Sequence, residues 1–226
     1  MKNVKEPLEN LFSKSRLLIL DFNDISPNTK TVENISLYFR ECLKKGVDPK
    51  LPENRQKFNN SMLNSTGARY LVSRYGENRA SMLAGSSISK ENRTIHLGID
   101  IFCKNLETVY APFDGDIVIS GNEPENHSFG YYLILKPQDK SLPFFFFGHL
   151  SANTIKLGKV KAGDPIAVLG DFINHENGGW SRHLHLQAIN DFDPNNIPLG
   201  YSSIDKFKEL SKMYPDPLKY FPSWDI

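Results

Sequence analysis

The chain has 226 residues, with 27 Lys and Arg against 26 Asp and Glu, and therefore a formal net charge of +1. This near-neutral balance gives no electrostatic reason to expect a nucleic acid or an anionic lipid surface as the main partner. With 39% hydrophobic residues the chain can bury a substantial core, which excludes wholesale disorder. Its longest purely aliphatic run, Leu17–Leu20, is far shorter than the roughly 20 residues that a membrane span needs.

The cysteines and the N-terminal residues bear on the compartment. Cys42 and Cys103 are too few for a disulfide framework and too far apart for a metal-binding spacing, so we expect two reduced, partly buried thiols. Lys2 and Lys5 resemble the start of a signal peptide, but Glu6 and other polar residues follow at once. A signal peptide needs about 7–15 consecutive apolar residues, so a cytoplasmic location is the default expectation.

Residues 1–85 are predicted to form an N-terminal extension of mixed helix and strand. Arg16–Phe22 is typical of a buried strand, and the apolar spacing of Thr31–Lys45 predicts a helix. A second helix is expected over about Arg55–Leu63, followed by an extended stretch over Gly67–Tyr75. No motif of known chemistry occurs here, so we interpret the extension as packing or partner surface.

Residues 86–192 alternate short β-rich runs with turns rich in Gly, Pro, Asn and Asp. Because no helix-length segment separates these runs, they indicate an antiparallel sandwich or a barrel-like sheet rather than βαβ units. Residues 193–226 are proline-rich and are expected to wrap the core, with one short helix near Ile204–Met213. The predicted fold class is therefore mainly β with helical extensions at both ends, α+β overall. The predicted strands are His96–Cys103, Thr108–Ala111, Asp116–Ser120, Tyr131–Lys136, Phe144–His149, Pro165–Leu169 and His183–Ile189.

Two histidines alternate with leucines in His183-Leu184-His185-Leu186-Gln187. Strict alternation predicts a strand with both histidines on one face and both leucines in the core. Residues i and i+2 on one face lie about 6–7 Å apart, close enough for one imidazole to bind a metal and the other to reach a water beside it.

A second candidate pair, His96 and Asp100, lies in a strand-like run with apolar residues between them. On a straight strand the two would lie about 13 Å apart, too far to share an ion with bonds near 2 Å. If both are ligands, the chain has to bend between them, and Gly98 is a permissive position for a bulge or kink.

The third candidate element is Phe144–Phe147, whose four phenylalanines need burial on both faces of a sheet and which leads to His149 at its polar end. Two histidines and one aspartate are then candidate ligands, with two more histidines nearby. Three nitrogen and oxygen ligands with one open position are typical of catalytic zinc, whereas structural zinc sites more often have four ligands and many cysteines.

Five motifs follow one another within about 100 residues: HLGID (96–100), APFDGDIVISG (111–121), GHLS (148–151), VKAGDPIAVLG (160–170) and HLHLQ (183–187). In this order they resemble the lysostaphin-type zinc metallopeptidases, which cleave peptidoglycan peptides. The resemblance covers roughly residues 90–190 and implies that His96, Asp100 and His185 bind Zn²⁺. It also implies that His149 and His183 are the non-ligand histidines, one acting as general base and the other stabilising the oxyanion, without deciding which does which.

The function implied by this resemblance is a zinc-dependent endopeptidase that hydrolyses peptide (amide) bonds, with peptidoglycan-type peptides as substrate. Such a substrate lies outside the cytoplasm, so the resemblance also makes an extracytoplasmic location possible. The main alternative is a metal-binding module of the same fold that serves a partner or a larger pathway without lytic activity.

The segments 111–121 and 160–170 also look like two halves of a duplicated hybrid motif, a scaffold shared with biotinyl and lipoyl carriers and a phosphotransferase component. A lipoyl carrier needs a modifiable lysine at its hairpin tip, and Ala111–Gly121 contains none. A phosphocarrier needs paired phosphorylatable histidines without a ligand-spaced aspartate, so Asp100 and His185 count against this second alternative.

The remaining candidates have weaker signals. His127 and His175 lie in polar turns and are predicted to be surface-loop residues. The stretch from Gly178 leads directly to the HLHLQ strand, so Trp180 or Arg182 is a candidate for substrate contact.

Overall fold

The structure is a computed structural model that describes residues 17–20, 42, 44–173 and 175–221. The helix predicted over Thr31–Lys45 lies almost entirely outside the described residues. Within these ranges the strands are β1 (Leu17–Leu20), β2 (Tyr70–Ser73), β3 (Ile95–His96), β4 (Ile99–Phe102), β5 (Thr108–Tyr110), β6 (Gly115–Glu123), β7 (Gly130–Pro137), β8 (Phe144–Leu150), β9 (Gly158–Val160), β10 (Pro165–Val168), β11 (His183–Ile189) and β12 (Tyr201–Ser202). The helices are α1 (Pro52–Thr66), α2 (Ala80–Leu83), α3 (Ser87–Lys90) and α4 (Phe207–Met213), and short 3-10 helices occupy Ala152–Thr154 and Pro217–Tyr220.

Eight of these strands form one sheet in the order β1-β2-β4-β11-β8-β7-β6-β9, and two smaller sheets pair β10 with β5 and β12 with β3. The pairings within the large sheet are antiparallel except at one edge, where β1 runs parallel to β2. The prediction of a mainly β, antiparallel fold is confirmed, and the parallel edge was not foreseen.

The described part of the N-terminal extension shares this sheet, because β2 pairs with β4. The helix expected over Arg55–Leu63 is longer at both ends and is α1. Pro52 suits the first turn of a helix, where its missing N–H costs no hydrogen bond. Gly67 ends the helix with a φ of 65°, the left-handed conformation that glycine adopts readily.

The phenylalanine run of β8 is buried on both faces, as its composition predicts. Phe145 and Phe147 pack in the main core with Leu184 and Leu186 of β11. Phe146 points to the opposite face, where a second cluster covers it. The strand therefore occupies the middle of the molecule, and its end at His149 is held by packing on both sides.

The strand predicted over His96–Cys103 is divided into β3 and β4 by an interruption at Leu97–Gly98. The register of β3 is set by β12, with His96 opposite Tyr201. The register of β4 is set by β11 instead. The bend that a shared ligand role demands is therefore present, and it separates two strands that belong to different sheets.

The described part of the C-terminal tail reaches the main core at its last residue. Phe221 is fully buried in the main core, where its ring lies 5.5 Å from that of Phe145. The predicted short helix is α4, which begins three residues later than expected.

Two expectations from composition can be compared with the described residues. Cys42 and Cys103 are both free and buried. Burial raises the pKa of Cys103 to about 12, so its thiol stays protonated at neutral pH. Within the described ranges, no helix combines the length and apolar character needed to cross a membrane.

Candidate active site

Strand pairing brings His185 and Asp100 together from distant parts of the chain. In the register of β11 with β4, His185 lies directly opposite Asp100. Opposite residues of an antiparallel pair point to the same face with their Cβ atoms about 4.5–5.5 Å apart. Leu184 and Leu186 point to the other face, into the main core, as the alternation predicts.

The three residues predicted as ligands converge on one point. The Nε2 atom of His96 lies 3.1 Å from Nδ1 of His185 and 3.4 Å from Oδ1 of Asp100. The same Oδ1 atom lies 3.1 Å from Nδ1 of His185. In a tetrahedral zinc site with bonds of about 2.0–2.1 Å, ligand atoms lie about 3.3 Å apart. All three side chains are buried, and their spacing and donor types fit a zinc ion.

Gly98 allows this convergence for a reason that the sequence does not reveal. A Cβ atom at this position would lie only 2.6 Å from Cε1 of His185 and 2.8 Å from the carbonyl oxygen of Leu186. A side chain here would therefore occupy the volume of the imidazole. Glycine is required because the backbone passes directly against His185.

Gln187 determines which nitrogen of His185 carries the proton. Its amide nitrogen donates to the carbonyl oxygen of Leu199 at 3.0 Å, which turns its Oε1 toward Nε2 of His185, also at 3.0 Å. An acceptor at that position requires the proton on Nε2, so Nδ1 keeps a lone pair directed at Asp100 and His96. His96 has no comparable anchor, since its buried Nδ1 has no hydrogen-bond partner among the described residues.

The second oxygen of Asp100 is held by an arginine from the N-terminal extension. Nη1 of Arg79 donates to Oδ2 at 2.6 Å, and both side chains are buried. Burial alone would raise the pKa of Asp100, but the charges of His96 and Arg79 keep it well below its ordinary value. Sequence reasoning missed Arg79, because no motif marks its segment and the contact joins residues 21 positions apart.

His149 and His183 form a pair beside the three candidate ligands, with ring centroids 4.2 Å apart. Nδ1 of His149 lies 2.9 Å from the carbonyl oxygen of Asn177, and Nδ1 of His183 lies 2.6 Å from that of Ser181. A carbonyl accepts only, so each Nδ1 carries the proton and each Nε2 has a free lone pair. Burial lowers the pKa of His183 to about 4 and that of His149 well below its ordinary value, so both are neutral at physiological pH.

The backbone of His149 adopts an unusual conformation, with a φ of 64°. Non-glycine residues rarely occupy this region, and those that do are concentrated at functional sites. The amide N–H of His149 donates to the carbonyl oxygen of Phe129 at 2.8 Å, and its own carbonyl oxygen accepts from Gly170 at 2.8 Å. Two neighbouring segments thus hold the conformation in place.

Asp100, His149, His183 and His185 line a cleft of about 360 Å³. One wall comes from residues 49–93, and the others come from residues 123–129, 179–181 and 197–201. Trp180 lines the cleft, and its indole N–H donates to the carbonyl oxygen of Ser128 at 3.0 Å. Arg182 is not part of the lining; it forms an ion pair with Asp171 at 2.8 Å. Of the two predicted substrate contacts, only Trp180 is therefore in a suitable place.

The two histidines predicted in surface loops have different environments in the structure. His175 is exposed, as predicted. His127 also lies in a turn, but it is half-buried and lines the cleft, with its ring 5.0 Å from that of Trp180. Its amide donates to the carbonyl oxygen of Gly178 at 2.9 Å, which fastens its loop to the stretch before β11.

A comparison with protein families finds one match that covers the candidate site. The family model described as peptidase family M23 matches residues 94–197. This region is an M23 domain. It contains His96, Asp100, His149, His183 and His185, whereas Arg79 and the wall formed by residues 49–93 precede it.

Solved structures similar to the chain include the antimicrobial peptidase lysostaphin from Staphylococcus simulans, with 26% identity over 57% of this chain and 45% of that one, at a TM-score of 0.42. The catalytic domain of that lysostaphin alone has 27% identity over 51% of this chain and 80% of its own, at a TM-score of 0.37. A zinc-containing peptidase from Vibrio cholerae has 25% identity over 47% of this chain and 31% of its own, at a TM-score of 0.36. The chain thus spans less than half the length of full lysostaphin. The comparison with curated proteins found no match.

Proposed function

We propose that the M23 domain of this chain is a zinc-dependent endopeptidase that hydrolyses peptide (amide) bonds in peptidoglycan-type peptides. The observation that carries this proposal is the convergence of one aspartate oxygen and two imidazole nitrogens within 3.1–3.4 Å of one another. Two further neutral histidines beside them supply proton acceptors. The match to a peptidase family supports the same reaction class.

His96, Asp100 and His185 would hold the zinc ion, through Nε2, Oδ1 and Nδ1 respectively. When bound, the ion would polarise the substrate carbonyl and lower the pKa of the attacking water toward about 7. The chain contributes ligands that are already in place, because Gln187 keeps the correct nitrogen of His185 available. Preorganised ligands avoid the cost of rearranging the site when the metal binds.

His149 and His183 would move the proton. Each presents a free Nε2 lone pair, so either imidazole can accept a proton from the attacking water and later return it to the leaving amine. Once protonated, that Nε2 becomes a donor and stabilises the negative charge that develops on the carbonyl oxygen. The carbonyls of Asn177 and Ser181 keep both rings in this orientation throughout.

The cleft has the size expected for part of a peptide. Ligand pockets commonly have volumes of about 300–1,000 Å³, and this cleft of about 360 Å³ lies at the small end of that range. A short peptide segment with small side chains fits such a space better than a bulky one. The peptidoglycan-type substrate rests on this fit and on the sequence resemblance to lysostaphin-type peptidases.

Hydrolysis can be tested with the full chain. We would strip it with a chelator, restore zinc, and measure new primary amines released from purified muropeptides and from short glycine and alanine peptides. The proposal expects amine release only with zinc, and its loss in His149→Gln with zinc still bound. Zinc binding without amine release from any of these peptides would contradict the endopeptidase and favour the non-lytic module.

The proposed substrate and the expected cytoplasmic location do not agree, because peptidoglycan lies outside the cytoplasm. Fractionation of cells that produce the full-length protein, followed by detection with an antibody, decides between them. An extracytoplasmic protein supports the peptidoglycan substrate, whereas a protein confined to the cytoplasm would direct the search toward another amide.

A further inference from the structure

We propose that Arg79, balanced by Glu77, is a positioning residue that fixes Asp100 so that a single carboxylate oxygen faces His96 and His185. The inference rests on the proposed metal site and assigns a role in it to the N-terminal extension. Arg79 and Glu77 both precede the region that matches the peptidase family.

Backbone pairing places the two residues beside the site. The amide of His96 donates to the carbonyl oxygen of Glu77 at 2.9 Å, and its carbonyl oxygen accepts from Gly76 at 3.0 Å. Two residues further on, the amide of Arg79 donates to the carbonyl oxygen of Thr94 at 2.8 Å. These bonds flank an isolated antiparallel bridge between Asn78 and Ile95 of β3, and the side chains of Glu77 and Arg79 meet on one side of it.

Arg79 binds one oxygen of the Asp100 carboxylate and leaves the other facing the candidate ligands. Oδ2 accepts from Nη1 of Arg79 at 2.6 Å, whereas Oδ1 lies within 3.4 Å of both candidate imidazole ligands. The amide of Asp100 also donates to the hydroxyl of Ser73 at 2.7 Å, so the backbone is held as well. A carboxylate bound in this way presents one oxygen to a metal in a fixed orientation.

Glu77 neutralises the positive charge that Arg79 places beside the candidate metal site. A buried guanidinium next to a divalent cation repels it strongly, because the interior screens charge poorly. Oε2 of Glu77 lies 3.3 Å from Nε and 3.2 Å from Nη2 of Arg79, and both side chains are buried. With Asp100, the three side chains carry one net negative charge, which favours a cation. Oε1 of Glu77 is itself held by the amide of Arg74 at 2.7 Å.

Two substitutions test separately the negative charge of Glu77 and the planar shape of the Arg79 guanidinium. Glu77→Gln preserves shape but removes a negative charge, so we expect zinc binding about 10-fold weaker. Arg79→Lys preserves charge but cannot bridge Asp100 and Glu77 with the same planar fork, so we expect a loss of about 10–100-fold, as for other residues that orient metal ligands.

The measurement is competition for zinc between the full-length protein and a chromophoric chelator, together with the unfolding temperature of each metal-free protein. The matched control is the exposed pair of Arg69 and Glu107, whose nearest atoms lie 3.5 Å apart and which does not line the cleft. Arg69→Lys and Glu107→Gln are expected to bind zinc as the wild type does. If Arg79→Lys does not fold, the isosteric Glu77→Gln still tests the proposal.

Weaker zinc binding in Glu77→Gln and Arg79→Lys, beyond any change in the controls, supports the positioning role. Wild-type zinc affinity in folded Glu77→Gln or Arg79→Lys overturns it, even if the metal-free protein is less stable, because that pattern belongs to a purely structural ion pair. A wild-type chain that binds no zinc refutes the proposed function itself, and the two failures are therefore distinguishable.

Discussion

Replacing Gly98 by alanine tests the geometry of the candidate metal site through a residue that is not a ligand. The new Cβ would lie 2.6 Å from Cε1 of His185, whereas ordinary contact begins at 3.4 Å, so the imidazole has to move by about 0.8 Å. Residue 98 cannot easily move away from the imidazole to relieve this clash, because its new Cβ would also lie 2.8 Å from the carbonyl oxygen of Leu186. Metal–ligand distances tolerate only about 0.2 Å.

We therefore expect Gly98→Ala to weaken zinc binding by about 10–100-fold, the scale of other changes that misorient a ligand, or about 1.4–2.8 kcal/mol. Chelator competition measures the affinity, and thermal unfolding of the metal-free chain measures stability. The control is Gly158→Ala, where φ is 105° but nothing lies within 4 Å of the new Cβ. It is expected to cost about 1 kcal/mol of stability and leave zinc affinity unchanged. Wild-type zinc affinity in folded Gly98→Ala would show that the close approach of residue 98 to His185 does not set the ligand geometry.

Three further predictions concern other residues. His149→Ala is expected to retain zinc, measured by metal analysis, while amine release falls by about 10²–10⁴-fold; loss of zinc would show that His149 is a ligand instead. Gln187→Met removes the acceptor for His185 and the donor to Leu199, so zinc affinity is expected to fall about 10-fold by chelator competition; an unchanged affinity would mean that the tautomer needs no anchor. Because burial raises the pKa of Cys103 to about 12, mass-spectrometric mapping of alkylation at pH 8 is expected to find it unmodified in the native protein and modified after denaturation; rapid native alkylation would contradict its burial.

Local alternation was enough to predict which side chains of β11 face the site. His183 and His185 lie on one face, and Leu184 and Leu186 lie in the core, because a strand has a period of two, whatever its neighbours are. The burial of Phe144–Phe147 on both faces followed equally from composition. Such features depend only on residues next to each other in the sequence.

Other features depend on contacts between distant segments, and the sequence pattern does not encode them visibly. Gly98 was expected to permit a bend, but its lack of a side chain matters because His185 occupies the adjacent space. Arg79 reaches Asp100 only because residues 76–79 pair with β3 through backbone groups, which carry no side-chain signature. The two-residue strand β12 is likewise too short to show any periodicity.

His127 illustrates the same limit for loops. Its polar neighbours indicate a surface turn, and the chain does turn there, with a φ of 69° at this residue. The turn is folded against the stretch before β11, so the imidazole faces a cleft instead of open solvent. Composition predicts that a loop exists but not which surface it covers.

We propose that His96, Asp100 and His185 together hold one zinc ion. The most direct measurement is the zinc content per chain, by elemental analysis after gel filtration, of wild-type protein and of His185→Ala prepared side by side. We expect about one zinc ion per wild-type chain and none retained by the variant. Equal zinc content in both proteins, with the variant folded, would contradict it.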